Sequence, residues 1–149
     1  MTHLVGLDPG RSKCGLVLVD LPSTQVLSGV VLSCADVLPQ LCDWQQNGGL
    51  DHIVLGNGTS HQNWNKALRT LAPVHVVNER GTTLRARQRY WQLWPAVGLR
   101  RLLPEGLRVP PIDLDAVAAL VMVEEHHQIR CVWPGPPPRP QPIKSGHVP

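Results

Sequence analysis

Three acids, Asp8, Glu79 and Asp115, stand where short structural elements end or begin, and acids placed in that way suit metal-ion chemistry. Hard divalent cations such as Mg2+ take oxygen ligands and keep part of their water. Two such ions about 3.5–4 Å apart stabilise both the attacking and the leaving oxygen of a phosphodiester displacement. A pair of ions needs carboxylates that converge in space, and therefore acids at strand ends and helix starts along one rim of a sheet. Asp8 closes the apolar run Leu4–Asp8 and opens the turn Asp8-Pro9-Gly10-Arg11, with Pro and Gly where a type II turn wants them. Glu79 follows the apolar run Val74–Val77, and Asp115 falls in the first turn of a strongly apolar helix. Singly, each acid also has a plain use as turn residue, solvated side chain or helix-dipole partner. Asp113 lies two residues before Asp115, about 200° away on a helix. It reads as that helix's N-cap, with a fourth ligand as the alternative.

The elements that must position these acids follow from periodicity. After Leu4–Asp8, the segments Gly15–Asp20 and Gln25–Leu32 read as strands joined by short turns, an antiparallel meander. Val37, Leu38, Leu41 and Trp44 then recur at helical spacing, with Asp36 as cap, Pro39 in the first turn and Asn47-Gly48-Gly49 as the stop. His52–Leu55 is a buried-type strand. A second helix from Ser60 carries Trp64, Ala67, Leu68 and Leu71, and Val74–Val77 is the fifth strand. Thr82 or Thr83 caps a third helix running to about Trp94, and a Pro/Gly-bearing connection leads to the last helix, striped by Leu114, Val117, Ala118, Val121 and Met122. The order βββαβαβα makes an α/β domain with a mixed five-stranded sheet flanked by helices. Strand 1 and the two later strands can lie side by side, which brings their acids to one rim. The domain spans 1–131. Residues 132–149 read as a proline-rich, disordered tail, since seven of the sixteen positions from Pro134 to Pro149 are proline.

Composition narrows the partners. The 149 residues, 42% hydrophobic and 17% charged, describe one globular domain. No run is long and apolar enough for a membrane span, and no export signal opens the chain, so a cytoplasmic protein is expected. Cys14, Cys34, Cys42 and Cys131 lack C-x-x-C spacing and read as reduced thiols rather than zinc ligands or disulfides. Net charge is only +3, but residues 80–108 carry seven arginines against Glu105 alone. That concentration suits a polyanion, because Arg forks onto phosphate oxygens, although a solvated helix face has the same composition. Arg80, Thr82, Thr83, Arg85, Arg87 and Arg89 are the candidate nucleic-acid contacts. One of the three later arginines is expected to pair instead with a core-side acid. His61 is a conceivable proton donor without a placement. His126 and His127 read as partners of a helix dipole, and Trp91 and Trp94 as packing residues.

Gly6-Leu7-Asp8-Pro9-Gly10 with Gly15 resembles the opening of the RuvC resolvases and of the YqgF/RuvX family. Ile53-Val54-Leu55-Gly56 resembles the YqgF second block. Asn78-Glu79-Arg80-Gly81-Thr82-Thr83 resembles its Asp-Glu-Arg-x-Thr-Thr, with Asn78 replacing the usual Asp, and Asp115-Ala116-Val117-Ala118-Ala119 resembles its Asp-x-x-Ala-Ala helix. The blocks run in order over residues 4 to about 127. The resemblance implies an RNase H-like fold and an endonuclease that uses Mg2+ or Mn2+, with Asp8, Glu79 and Asp115 as catalytic metal ligands. It also implies a structured nucleic-acid substrate, either a Holliday junction or another branched DNA, or pre-16S rRNA, for a monomer or homodimer. Two other readings stay open. One is a non-catalytic nucleic-acid-binding module. The other is an actin-like ATPase or sugar-kinase fragment suggested by Asp8 and Asp20, which lacks the second domain and the glycine-rich adenosine motif.

Overall fold

Strand β1 (His3–Pro9) lies at the centre of the sheet in the computed structural model, which describes residues 2–58 and 60–138. It pairs antiparallel with β2 (Lys13–Asp20), which pairs antiparallel with β3 (Gln25–Ser33). On its other side β1 pairs parallel with β4 (His52–Gly56), and β4 pairs parallel with β5 (Val74–Val77). The order β3-β2-β1-β4-β5 is the meander extended by two crossover strands, as the element order predicts. The C-terminal ends of β1, β4 and β5 therefore open on the same rim.

Period-two alternation divides the strand side chains between two faces. Val5, Leu7, Leu16, Leu18, Ile53 and Leu55 point to the face covered by α1 (Cys34–Gly48) and α2 (His61–Leu68). Leu4, Val17, Val19 and Val54 point to the face covered by α4 (Asp115–His127), whose residues Ala116 to Glu124 are all buried. Helix α3 (Thr82–Leu93) packs outside α4 through Ala86, Tyr90 and Trp91. Close approach of α4 to the sheet depends on two glycines. A Cβ on Gly6 would sit 2.6 Å from the Ala119 carbonyl, and one on Gly15 would strike the backbone of Asp115.

Several helix starts differ from expectation. α1 begins at Cys34 with Ser33 at the N-cap position; Asp36 accepts a hydrogen bond from the Ser33 hydroxyl, and Pro39 sits in the second turn. α3 is entered through Gly81 at φ 74°, a left-handed conformation that neither threonine would adopt cheaply, and Thr82 is the first helical residue, buried. α4 begins at Asp115, with Leu114 before it; Asp113 takes the N–H of Asp115 at 3.2 Å. Asp113 thus caps by reaching forward from one position earlier than an ordinary N-cap.

The stretch after residue 131 begins on the body of the domain. Val132 exchanges backbone hydrogen bonds with the start of β3, accepting from Val26 and donating to Thr24 at 2.8 Å each. The indole of Trp133 fills the space a side chain at Gly29 would take, and Trp94 donates to the Gly135 carbonyl at 3.0 Å. Residues 139–149 of the expected tail lie outside the described residues. Among the described residues the four cysteines are free, and no helix is long and apolar enough to cross a membrane.

Candidate carboxylate centre

Asp8 is on the α4 face of β1, beside Gly15 of β2 in the antiparallel register. Because Gly15 has no side chain, the first turn of α4 rests directly on it, and this brings Asp115 over Asp8. Glu79 comes from the other side. Asn57, just past β4, donates its N–H to Val77 at 2.9 Å and accepts the Glu79 N–H at 3.0 Å, which holds the end of β5 against the end of β4. The Glu79 carboxylate then lies in a notch that exists because Gly56 and Gly58 lack side chains; a Cβ at either would strike it.

Asp8, Glu79 and Asp115, three separate candidates in the sequence, are thus electrostatic neighbours. Burial, a hydrogen bond with Glu79, and the charges of Glu79, Asp115 and Asp113 push the Asp8 carboxyl up to about 8. Burial, with a hydrogen bond and charge from Asp113, raises Asp115 to about 6, against the opposing pull of Lys13. Asp113 behaves in the opposite way. Burial raises it, but hydrogen bonds from Lys13 and Asp115 outweigh that and leave it below the usual carboxylate range. Its salt bridge to Lys13 accounts for much of this, and Lys13 is a neighbour that strand periodicity gave no reason to single out.

Asp8 is coupled electrostatically to Glu79, and Asp115 to Asp113, which also accepts the Asp115 N–H. Among the described residues no three His, Cys, Asp or Glu side chains form a ready-made metal-ligand set. The donors nevertheless suit a hard cation: all are carboxylates, Glu79 Oε1 is buried without a hydrogen-bond partner, and the mutual repulsion raising Asp8 is what a bound cation relieves. His61, half-buried, has Nδ1 3.2 Å from the carbonyl oxygen of Gly58, the glycine that abuts Glu79.

The arginine segment does not form one outward-facing track. Arg89 is buried and forks onto both Glu124 oxygens at 2.9 Å while donating to the Cys131 carbonyl at 2.8 Å. It is the arginine that pairs with a core-side acid, and it is removed from the set of candidate phosphate contacts because its donors face inward. Arg87 donates to the carbonyls of Gly106 and Arg108, tying down the connection before α4. Arg85 pairs with Glu125 at 2.6 Å and donates to the Arg80 carbonyl. Thr82 is buried, whereas Arg80 and Thr83 are exposed at the start of α3, next to Glu79. Trp91 is buried, and Trp94 packs between Tyr90 and Trp133.

No protein-family model matches the sequence, and no curated protein matches it. A solved structure does: T. thermophilus RuvC in complex with Holliday junction substrate, 16% identical, with 85% of this chain covering 93% of that one at a TM-score of 0.52. The fold is RNase H-like. Within that fold the acids occupy the rim where β1, β4 and β5 end, and α4 crosses the sheet from that rim toward the opposite one.

Proposed function

We propose that the chain is a divalent-metal-dependent endonuclease acting on branched DNA, with Asp8, Glu79 and Asp115 as its metal-binding carboxylates. The observation that carries this reading is the meeting of acids from β1, from the turn after β5 and from the start of α4 at one rim, where burial, and after it Glu79, Asp115 and Asp113, hold the Asp8 carboxyl at about 8. Folding gains nothing from such repulsion, and a partly buried cluster of acids with a strongly perturbed group suits a cation-binding role. The likeness to a fold solved on a Holliday junction supports branched DNA as the substrate class.

Mg2+ or Mn2+ bound there would supply a nucleophile from water at neutral pH and stabilise charge on the phosphate oxygens. The protein's own groups prepare the site. Asn57 fixes the backbone of Glu79, and the glycine notch sets where its carboxylate lies. Lys13 neutralises Asp113, which leaves Asp113 a positioning residue for the α4 start rather than a fourth ligand. Arg80 and Thr83, exposed beside Glu79, are the phosphate contacts, fixing register without reading bases.

The test is a cleavage assay on a four-way junction, linear duplex DNA and structured pre-16S rRNA, with Mg2+, Mn2+ or EDTA. Metal-dependent cutting of the junction, abolished by Glu79→Gln and by Asp115→Asn, is expected. Cutting of the RNA alone would move the substrate class to RNA. Full activity in both variants would remove these acids from the chemistry.

A further inference from the structure

At the rim opposite the acids, four histidines from three elements surround one another. His52 starts β4 and His75 lies on β5, both on the face that α4 covers, and His126 and His127 end α4 above them. Their ring centroids form a closed circuit: His52 to His75 is 5.5 Å, His75 to His126 is 4.9 Å, His126 to His127 is 4.9 Å, and His127 to His52 is 6.3 Å. Two imidazoles sharing one tetrahedral ion at ~2.0–2.1 Å have centroids about 5 Å apart, so the circuit is close to the size of a ligand shell. Two of the ring nitrogens, His52 Nδ1 and His127 Nε2, are buried without any hydrogen-bond partner. Buried polar atoms are nearly always paired, so two unpartnered ring nitrogens beside other imidazoles call for a ligand.

We propose that His52, His75, His126 and His127 form a nitrogen-ligand metal site for a borderline divalent ion such as Zn2+ or Ni2+. Imidazole suits these ions, whereas Mg2+ prefers the carboxylates at the other rim. The nitrogens are not converged on one point as they stand. His75 and His126 are exposed, and exposed side chains change rotamer in ps–ns, so two rings are free to swing onto an ion anchored by the two buried nitrogens. Such an ion would pin the C-terminal turn of α4 to β4 and β5, about 18 Å along the helix from Asp115.

Zn2+ is titrated calorimetrically into the full chain, into His75→Gln/His126→Gln, and into Asp8→Asn/Asp115→Asn. One saturable site is expected that persists in the acid variant and weakens in the histidine variant by at least the roughly 10–100-fold that loss of outer-shell partners alone can cost. Equal affinity and stoichiometry in wild type and histidine variant would overturn the proposal, as would loss confined to the acid variant. Imidazole-detected 1H–15N spectra give a second reading: Zn2+ must shift the His52 and His127 ring nitrogens, and unchanged ring signals also overturn the site. Because the two replaced histidines are exposed, the metal-free melting temperature of the histidine variant serves as the folding control. Cleavage is not read in either measurement, so the outcome is independent of whether the acids cut nucleic acid.

Discussion

Replacing Asp8 by Asn should stabilise the metal-free chain, and more so at higher pH. Burial, then Glu79, Asp115 and Asp113, displace the Asp8 carboxyl from 3.8 to about 8. A carboxyl raised in the folded state contributes stability while it is protonated, fully below its unfolded value, and that contribution is lost as pH climbs through about 8. At 1.36 kcal/mol per unit the whole displacement corresponds to about 6 kcal/mol. Asp8 is only half-buried at an open rim, where water and counter-ions screen the repulsion, so about 2 kcal/mol is the expected relief above its titration. For a domain of this size that is a rise of about 4–8 °C in melting temperature. Asn keeps a side-chain donor beside the Glu79 carboxylate. The assay is thermal unfolding followed by circular dichroism, in EDTA, at about two units above and three below neutrality. The variant should melt well above wild type in alkali and close to it in acid, where Asp8 is already protonated. Adding Mg2+ should then raise wild type more than the variant, narrowing the alkaline gap, because only wild type keeps the full ligand set. A variant that melts at or below wild type in alkali, or that gains equally at both pH values, would refute the electrostatic argument.

Two further substitutions probe how the site is held. Gly15→Ala drives a methyl into the Asp115 backbone, so it should cost about 1–3 kcal/mol by urea unfolding and reduce cleavage as well, through displacement of the α4 start. Arg89→Met leaves the buried Glu124 charge without its cation, which should cost about 3–5 kcal/mol, recovered only in part by adding Glu124→Leu because Cys131 then loses the partners of its N–H and carbonyl, while the salt dependence of nucleic-acid binding by the folded double variant stays that of wild type.

Strand order and the rim shared by β1, β4 and β5 were legible from periodicity and short connections, because both are consequences of local pattern. The acids were legible for the same reason: each stands at a boundary that periodicity marks. Contacts between distant segments left no such mark. Arg89 meets Glu124 across 35 residues, and in sequence it looks like any other arginine of its run. His52 and His75 share a face only once β4 and β5 are known to be parallel neighbours, and only α4 brings His126 and His127 above them. Helix starts were misjudged where a general preference met a particular backbone. Serine and threonine are good caps, but entry to α3 needs the positive φ of Gly81. Trp133, inside the segment read as a tail, is instead held by the space Gly29 leaves for its indole.

The packing of α4 on Gly6 and Gly15 also sets the order in which the molecule can mature. The meander, the β4–β5 pairing and their helices rest on contacts between neighbouring stretches, which close early because short loops lose little entropy. Asp8 and Asp115 come together only across a chain separation like the 100 residues between Lys13 and Asp113. A newly made chain therefore carries its first acid and its strands well before it carries a carboxylate cluster. Any excursion in which α4 lifts from the glycines disperses the cluster. On the proposed function, cleavage is therefore expected only of the fully closed state.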